Sequence, residues 1–437
     1  MNWLHFFTDK SDLLHSFGRG INADIASNEE GLFNKSYEAF EKKDVLNAYE
    51  YFLKSLLNYS NGDSNENITT KILEDRLEFT LFQGSARICG YITHESFHAD
   101  AIILKESSAD VALKRYLLER NYQFTYSNYL SDGEFIKLKI YHDNITMTPQ
   151  KLFFPLREIA LNADYDKEYI RSEFFHMPIE DIEHIGLIDE KELRIKYEFM
   201  QKSIEELLEK AVTLSMNDTS GMLSFLYLNF LFKLDYLLVP KYDIYHKMSR
   251  KIQEYFSDDI NTPDFKNDEV KEYILELQKL TFEEFAQNFY SAKYTFNPSD
   301  RAPFEEIATF VNESLVKIRW YKNNRYYQVL PIVYEYVAFY ALYNYGLHPV
   351  VKALLHLLVT LQNSAFFKTL GYETLYDEES KSFSKKAIIN KIEDIMEPYK
   401  NRFKLLKPFG NELNFTSLGE FSNSFYVQLK HLDFTEN

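Results

Sequence analysis

The sequence is poor in cysteine, glycine and proline, and each shortage narrows the range of architectures. Its 437 residues include one cysteine, Cys89, with 13 glycines and 11 prolines. A single thiol cannot form an intramolecular disulfide or a thiolate metal cluster, so we expect a reducing compartment, the cytoplasm. Scarce glycine and proline disfavour an all-β protein with many tight turns and favour long helices.

The sequence also lacks a recognisable secretion signal and a long apolar run. Met1–Phe7 is aromatic, but charged residues follow from Asp9 onward, and no basic region precedes an apolar core. The best membrane candidate, Val329–Tyr345, contains Pro331 and Glu335. It is about 17 residues long, which is less than the ~20 residues of a typical span. We therefore predict a buried helix there and no membrane span.

Acidic and aromatic residues are plentiful. The formal net charge is −17, hydrophobic residues make up 45%, and there are 33 tyrosines and 37 phenylalanines. A phosphate backbone would be repelled on average, so we expect no nucleic-acid partner. The acidic residues are dispersed, which is typical of a solvated surface. Tyrosine suits surfaces that are partly buried and partly wet, including protein interfaces.

Hydrophobic spacing predicts three domains: a helical hairpin in 1–62, an α+β domain in 63–175 and a larger all-helical domain in 176–437. Ser36–Leu57 resembles a single tetratricopeptide unit without a second copy nearby, and 58–67 is polar like a linker. In the last domain, helical patterns cover 189–215, 220–238, 241–256, 266–292, 303–322, 325–345, 349–370, 384–405 and 416–431.

The middle domain mixes both periods. Strand patterns run from Leu77 to Leu104, and an amphipathic helix follows in 109–120. Alternation then predicts a hairpin whose turn is Ser131–Gly133, because glycine adopts positive φ at low cost. Its first strand would place three aromatic residues on one face, and a long helix would begin after the second strand, at Thr148-Pro149. The three aromatic residues are Tyr122, Phe124 and Tyr126. The predicted fold class is therefore an antiparallel sheet with flanking helices, followed by an all-α domain.

Residues 70–172 resemble a known family. Arg115–Asn121, before the hairpin, is similar to the "LL-x-x-N" helix end of class I type III secretion chaperones and bacterial sensory-transduction-regulator domains. The strand Phe135–Ile140, the long helix and Ala163-Asp164 also fit. The resemblance implies a bacterial protein with a twisted antiparallel sheet that forms homodimers and binds other proteins without catalysis. We identify no resemblance in the helical domain.

One string matches a zinc-protease signature, His94-Glu95-Ser96-Phe97-His98. In such enzymes both histidines lie one helical turn apart and bind Zn²⁺ while the glutamate activates water. Here the upstream residues Ile88–Thr93 favour a strand, which would separate the two imidazoles. We therefore predict that 88–104 is strand and that His94 and His98 share no metal.

Two further polar residues lie among apolar helix residues. Glu335 is a candidate for a structural ion pair or for a pocket, since a buried carboxylate is costly without a partner. His356 is a candidate for a hydrogen-bonded core or interface histidine. The tyrosines between Tyr326 and Tyr345 are typical of a core, although a groove for an extended peptide is an alternative. The nucleotide-binding, nucleophile-elbow and EF-hand motifs are absent from the sequence.

These observations favour a non-catalytic protein-binding module, an adaptor, chaperone or regulator that needs no cofactor. Its partner would be a protein or an extended peptide, and the candidate binding residues are Tyr122, Phe124, Tyr126, Glu335 and His356. One alternative is a zinc-dependent hydrolase that uses His94, Glu95 and His98. Another is a small-molecule sensor in the helical domain.

Overall fold

The computed structural model describes residues 17–19, 27–57, 67–144, 148–214 and 220–436. Its N-terminal part is built on a six-stranded antiparallel sheet with the strand order β1-β2-β3-β4-β6-β5. The strands are β1 (Ile68–Ile72), β2 (Leu77–Gln83), β3 (Ala86–Ile92), β4 (Ser96–Lys105), β5 (Asn128–Ser131) and β6 (Phe135–Asp143). The predicted α+β fold of this part is therefore confirmed. Strand β1, which starts directly after the polar stretch 58–67, was not predicted from the sequence.

The strands bury every second side chain, as half-covered strands do. Leu77, Phe79 and Leu81 on β2 are buried, and the residues between them are less so. Helices α2 (Val45–Ser55), α3 (Val111–Asn121) and α4 (Phe153–Glu173) pack against the sheet, and α1 (Ser27–Glu41) packs on α2. The hairpin α1–α2 matches its prediction, and Tyr49 and Phe52 belong to the same core as the sheet. We call 27–57 together with 67–177 the sheet unit.

The remainder, the helical unit, is almost entirely helical, as predicted. Its helices are α5 (Glu190–Leu214), α6 (Ser220–Leu238), α7 (Tyr242–Phe256), α8 (Pro263–Lys279), α9 (Phe282–Ala286), α10 (Phe304–Asn323), α11 (Leu330–Asn344), α12 (Pro349–Gln362), α13 (Ser364–Thr369), α14 (Lys385–Met396) and α15 (Leu418–Leu429). The helix predicted over 266–292 is wrong as a single element. Thr281 and Glu284 form a reciprocal capping box that starts a new helix.

Three more details of the helical unit differ from prediction. The helix predicted over 384–405 ends at Met396. The pattern over 349–370 divides at Asn363, where α12 ends and α13 begins. A two-stranded hairpin of β7 (Tyr376–Asp377) and β8 (Ser382–Phe383) also occurs, although no strand was predicted after residue 176. Each strand has two residues, which is too short for a period to be visible in sequence.

Apolar helices fill the core of the helical unit. Helix α11, predicted to be buried, contributes Val333, Val337 and Phe339 to that core. Among the described helices, a stretch of α6 is long and apolar enough to span a membrane by length and composition. This stretch is Gly221–Leu238, with a mean hydropathy of 1.2 and 72% of it buried within the protein.

The two units are joined by a segment that lies far from the sheet in sequence. The Gln83 side chain, at the end of β2, accepts hydrogen bonds from the Thr295 and Phe296 backbone N–H groups at 3.0 and 2.8 Å. Its amide donates to the Phe296 carbonyl at 3.3 Å. The Phe296 ring lies in the core of the sheet unit. Arg157 on α4 donates to the Asn297 carbonyl at 3.1 Å. The chain therefore returns to the sheet unit at 295–297, nearly halfway along the helical unit in sequence.

Candidate binding surface

The second face of the sheet carries exposed and half-buried side chains, and we call it the open sheet face. Successive side chains along a strand point to opposite faces, so the residues of this face alternate in sequence with the buried ones. Cross-strand pairing aligns them in rows that run perpendicular to the strands. Its members include Thr80, Cys89, Tyr91, His98, Asp100, Ile102, Lys137, Lys139 and Tyr141.

One row of this face contains three aromatic side chains, Tyr91, His98 and Tyr141, which we call the aromatic row, and Glu78 on β2 continues it. His98 pairs with Tyr91 on β3 and with Tyr141 on β6. The rings of Tyr91 and His98 are stacked, with centroids 4.6 Å apart and planes at 17°, and the Tyr141 ring meets His98 edge-on at 4.8 Å. Tyr91 is 39% exposed and Tyr141 is 61% exposed. Burial lowers the pKa of His98, which favours its uncharged form.

The next row combines opposite charges with a thiol. Thr80, Cys89, Asp100 and Lys139 are successive cross-strand partners on β2, β3, β4 and β6. Burial raises the pKa of the Cys89 thiol, so the unreactive protonated form is favoured. The open sheet face thus offers an aromatic centre beside charges of both signs. That combination fits a polypeptide better than a ligand of uniform charge.

The zinc-protease string does not lie on a helix. His94 and Glu95 occupy the turn between β3 and β4, where the Thr93 hydroxyl accepts hydrogen bonds from the N–H groups of Glu95 and Ser96 at 3.2 and 3.0 Å. His98 lies within β4, and its Nε2 is 3.1 Å from the Ser96 hydroxyl. The prediction of strand rather than helix is confirmed for 88–92 and 96–104, and the residues between these stretches form the turn. In the described part of the chain, no three or more His, Cys, Asp and Glu side chains form a group that could hold a metal ion.

The prediction that Tyr122, Phe124 and Tyr126 share one face of a strand is wrong. Strand β5 begins only at Asn128, and 122–127 is a loop after α3. Tyr122 is 93% exposed at the end of α3, the Phe124 ring lies under the Arg120 guanidinium at 4.8 Å, and Tyr126 meets His142 edge-on at 6.3 Å. The three rings therefore lie in different surroundings.

A single carboxylate explains why this loop is not a strand. Glu158 on α4 accepts hydrogen bonds from the backbone N–H groups of Thr125, Tyr126 and Ser127 at 2.8–2.9 Å. It also accepts one from the Ser127 hydroxyl at 2.7 Å. These amides are satisfied by a side chain, so they need no strand partner.

Glu335 is placed as an ion-pair residue. Its carboxylate is 2.7 Å from the Lys233 ammonium and accepts a hydrogen bond from the Asn229 amide at 2.6 Å. Lys233 and Asn229 both lie on α6, one turn apart, so the carboxylate joins α11 to α6. The structural ion pair is therefore the option that the geometry favours over a pocket.

His356 lies in the interior of the helical unit. Its side chain is fully buried, and its Nδ1 is 2.9 Å from the Tyr236 hydroxyl. The rings of Phe17 and Phe367 pack against it with centroids 5.1 and 5.5 Å away. Burial, with a smaller contribution from the Lys352 charge, lowers the pKa of His356 to about 3. The imidazole is thus neutral and forms part of the packing between helices.

Two buried polar clusters on α4 were not predicted from the sequence. In the first, the fully buried Asp166 accepts hydrogen bonds from the hydroxyls of Tyr116 and Tyr129 at 2.7 and 2.6 Å and pairs with Arg120 at 3.0 Å. It therefore ties α3, α4 and β5 together. Acidic residues at 164, 166 and 168 within an apolar helix were the available signal, because buried carboxylates require partners.

The second cluster lies where α4 meets the helical unit. Glu168 accepts a hydrogen bond from the buried Tyr290 hydroxyl at 2.5 Å, and Lys241 donates to the Tyr294 hydroxyl. Nearby, Arg19 pairs with Asp235 and its guanidinium lies 3.6 Å from the centre of the Tyr245 ring. Because these residues come from both units, their proximity has no signal in local sequence. The polar side chains of this cluster are buried and closely packed. We call this buried contact between the two units the joint.

No family model, curated protein or solved structure matches this chain. Function is therefore inferred from the geometry of the open sheet face.

Proposed function

We propose that this protein is a non-catalytic, cytoplasmic protein-binding module whose open sheet face binds an extended segment of a partner protein. The observation that carries the proposal is the aromatic row on a sheet whose other face is packed by helices. A rigid sheet presents the row without the entropic cost of ordering a loop. The single cysteine supports the location, and the resemblance of 70–172 to secretion chaperones supports the partner class.

The dimensions of the row suit a short extended segment. Neighbouring strands lie about 4.8 Å apart, so a row across three strands is about 10 Å long. An extended chain rises about 3.3 Å per residue, so three or four residues of a partner can lie along it. Aromatic side chains of this kind supply a large part of the binding energy at protein interfaces.

The charges beside the row favour a protein over nucleic acid. Asp100 and Lys139 are neighbours on the face, while the chain as a whole carries a net charge of −17. A partner segment with both apolar and charged residues matches this pattern. A phosphate backbone would meet an unfavourable field.

The geometry around the reactive residue types favours binding over catalysis. Cys89 is held as a thiol, and the His94–His98 string lacks the helical spacing that places two imidazoles on one ion. The zinc-hydrolase alternative therefore has no supporting geometry at this string. Glu335 and His356 are engaged in packing contacts, and that does not favour the sensor alternative.

The test compares three full-length chains: the wild type, the double variant Tyr91→Lys/Tyr141→Lys, and Ile260→Lys. Ile260 is a fully exposed apolar residue between α7 and α8, so its variant is the matched control. Each is used to capture proteins from cells of the source organism, and captured proteins are quantified by mass spectrometry. We expect at least one protein to be retained by the wild type and the control and reduced tenfold or more with the double variant.

The captured protein is then bound to the wild type for hydrogen exchange. Slower exchange in 86–105 and 135–143 is expected, since these strands carry the aromatic row. Equal capture by all three chains, or protection confined to the helical unit, would show that the open sheet face is not the binding site. Hydrolytic activity that the wild type has and the Glu95→Gln variant lacks would contradict the proposal and support the zinc-hydrolase alternative.

A further inference from the structure

Three residues, Phe17, Gly18 and Arg19, precede the sheet unit in sequence but lie among helices of the helical unit, and we call them the anchored segment. They belong to no helix or strand. Phe17 is 4% exposed and is part of the core of the helical unit. Each of the three residues is held by a different kind of contact, so the segment resembles a bound peptide more than an element of the fold.

The Phe17 ring fills a pocket of aromatic side chains. Its centroid lies 5.1 Å from those of His356 and Phe367 and 5.9 Å from that of Tyr372. Burial lowers the pKa of His356 to about 3, so these rings are all neutral. Aromatic pairs at such separations are more favourable than their buried area alone would make them. The pocket therefore selects an aromatic side chain.

The position of Gly18 excludes any side chain. Gly18 has φ +70°, and its N–H donates a hydrogen bond to the Tyr236 carbonyl at 2.8 Å. A Cβ at this position would lie 3.0 Å from the Tyr236 ring, which is itself buried. A larger residue would therefore be strained in its backbone and would press against the core. This contact selects glycine.

The Arg19 guanidinium makes three contacts at once. Its Nε pairs with the carboxylate of Asp235 on α6, and its Nη2 donates to the Pro240 carbonyl. Its centre lies 3.6 Å from the middle of the Tyr245 ring on α7. Asp235 is buried, and a buried carboxylate is costly without a cationic partner. A planar guanidinium can satisfy all three groups, whereas an ammonium is a point charge. The contact therefore selects arginine.

We propose that the helical unit contains a binding site for a peptide with three consecutive residues, an aromatic residue, glycine and arginine, and that the anchored segment occupies it as an intramolecular ligand. An apolar pocket with a few fixed polar groups is the usual form of a ligand site. The segment is held by side-chain contacts and one backbone hydrogen bond, so a separate peptide with the same three residues can take its place. The site lies in the helical unit, so the inference goes beyond the binding proposed for the open sheet face.

Occupation of this site also affects the joint. The Arg19 charge interacts with the carboxylate of Glu168 on α4, which belongs to the sheet unit. An empty site would remove the guanidinium from Asp235 and would leave a cavity where the Phe17 ring lies. A ligand in the site, whether the anchored segment or a peptide, should therefore stabilise the contact between the two units.

Fluorescence anisotropy of a labelled peptide with the sequence of 14–22 tests the proposal on full-length chains. The double variant Phe17→Ala/Arg19→Ala empties the site, and Phe175→Ala is the control because Phe175 is 84% exposed. For a peptide held by three residues we expect a dissociation constant on the order of 100 µM. A tethered ligand has an effective concentration on the order of 1 mM. The double variant should therefore bind the peptide about tenfold more tightly than the wild type and the control do.

Changes in the peptide test the three contacts one at a time. Replacing its phenylalanine, glycine or arginine by alanine should weaken binding to the double variant about fivefold or more. When Asp235→Asn is added to the double variant, replacing the peptide arginine should weaken binding by less than about twofold, because the partner carboxylate is gone. A role of Asp235 in packing alone would not produce this dependence on the peptide arginine.

Thermal unfolding shows whether each variant folds and supplies a second readout. The peptide should raise the unfolding temperature of the double variant more than that of the wild type, because an empty site gains a ligand. Gly18→Ala keeps both flanking side chains but strains the segment, so it should bind the peptide about threefold or more tightly than the wild type. This variant provides the test if the double variant does not fold.

Three results would overturn the inference. A folded double variant that does not bind the peptide at about 1 mM has no such site. Equal binding by the wild type, Gly18→Ala and the double variant would mean that the anchored segment does not occupy the site. Binding that ignores the three peptide residues would contradict the proposed recognition. Adding Tyr91→Lys/Tyr141→Lys to the double variant should leave peptide binding unchanged, so failure of the proposed function and failure of this inference remain distinguishable.

Discussion

Asp164 is a single buried side chain through which the stability of the fold depends on pH. It lies where α4 meets the turn between β2 and β3, and it accepts hydrogen bonds from the Ser85 N–H and hydroxyl at 2.6 and 2.8 Å. The turn residue Gly84 has φ +56°, and a Cβ there would be 2.1 Å from the Asp164 carboxylate, so only glycine fits. Burial, with the neighbouring charge of Glu168, raises the pKa of Asp164 to about 7.

Replacing this carboxylate should change the pH dependence of stability. Between its ordinary pKa and about 7, Asp164 is protonated in the folded chain and ionised in the unfolded one. Folding then takes up a proton, so this group makes the free energy of unfolding fall as pH rises from about 4 to 7. Asp164→Asn keeps an oxygen that can accept from Ser85 and lacks the titration. We expect it to gain stability relative to the wild type as pH rises through this window.

Urea unfolding of both chains between about pH 5 and 7.5 provides the measurement. The upper limit avoids a second group on the same helix, because burial lowers the pKa of Lys167 to about 8. Between about pH 8 and its ordinary pKa, that lysine is neutral in the folded chain and charged in the unfolded chain, so its contribution has the opposite slope. Parallel stability curves for the wild type and Asp164→Asn would show that Asp164 takes up no proton on folding.

At the scale of elements, the connection from α3 to β5 is held by side chains. The Asn121 amide donates to the Tyr129 carbonyl at 3.3 Å, and its oxygen accepts from the Tyr129 N–H at 2.7 Å. Asn121 is the last residue of the "LL-x-x-N" string, so this motif has a local structural role here. The Glu158 carboxylate fixes the rest of the loop through the amides of 125–127.

Removing the Glu158 carboxylate should release this loop selectively. Hydrogen bonds to a charged acceptor contribute about 1.5–3 kcal/mol, so Glu158→Ala should speed the exchange of the amides of 125–127 about 10- to 100-fold. Hydrogen exchange read out by mass spectrometry or NMR measures this rate. Glu173→Ala, an exposed position on the same helix, serves as the control. Unchanged exchange in 125–127 would mean that other contacts hold the loop.

At the scale of the whole molecule, the two units share structural elements. Phe296 belongs to the core of the sheet unit, although it lies more than a hundred residues beyond α4, and Gln83 satisfies its backbone from within the sheet. Phe17 likewise lies in the core of the helical unit, although it precedes the sheet in sequence. A fragment limited to 63–175 would therefore expose the surface that Phe296 covers.

Phe296→Ala should accordingly weaken the sheet unit from a distance along the chain. A large cavity in a core costs about 3–5 kcal/mol. The loss should fall on β2, whose Gln83 holds the Phe296 backbone, and on β3, which pairs with β2. We expect faster hydrogen exchange in β2 and β3 and little change in α12, measured on the full-length chain. Equal acceleration in both places would indicate that the chain opens only as a single unit. Phe154→Ala, at an exposed phenylalanine, is the control.

The sequence by itself determined the elements whose burial pattern is local. Alternating residues in β2 and β3 and the helical stripes of α5, α6 and α7 are each readable from neighbours along the chain, because period follows from backbone geometry. The same patterns indicated a strand at His98 and an α+β part before a helical part. The hairpin turn before β6 was predicted correctly, but the starts of β5 and α9 were misplaced and β7 was not predicted, since a side chain or a turn decided where these elements begin.

Only the tertiary structure decided which residues act together. Tyr91, His98 and Tyr141 come from three strands, and their stacking depends on strand register, which no single strand encodes. Alternation in the sequence attributed Tyr122 to a strand, but it lies in the loop after α3, because Glu158 on α4 accepts hydrogen bonds from the amides of 125–127. The sequence pattern indicates whether a residue is buried, but contacts between distant elements determine which residues surround it. The candidate surface of this protein is made of such contacts.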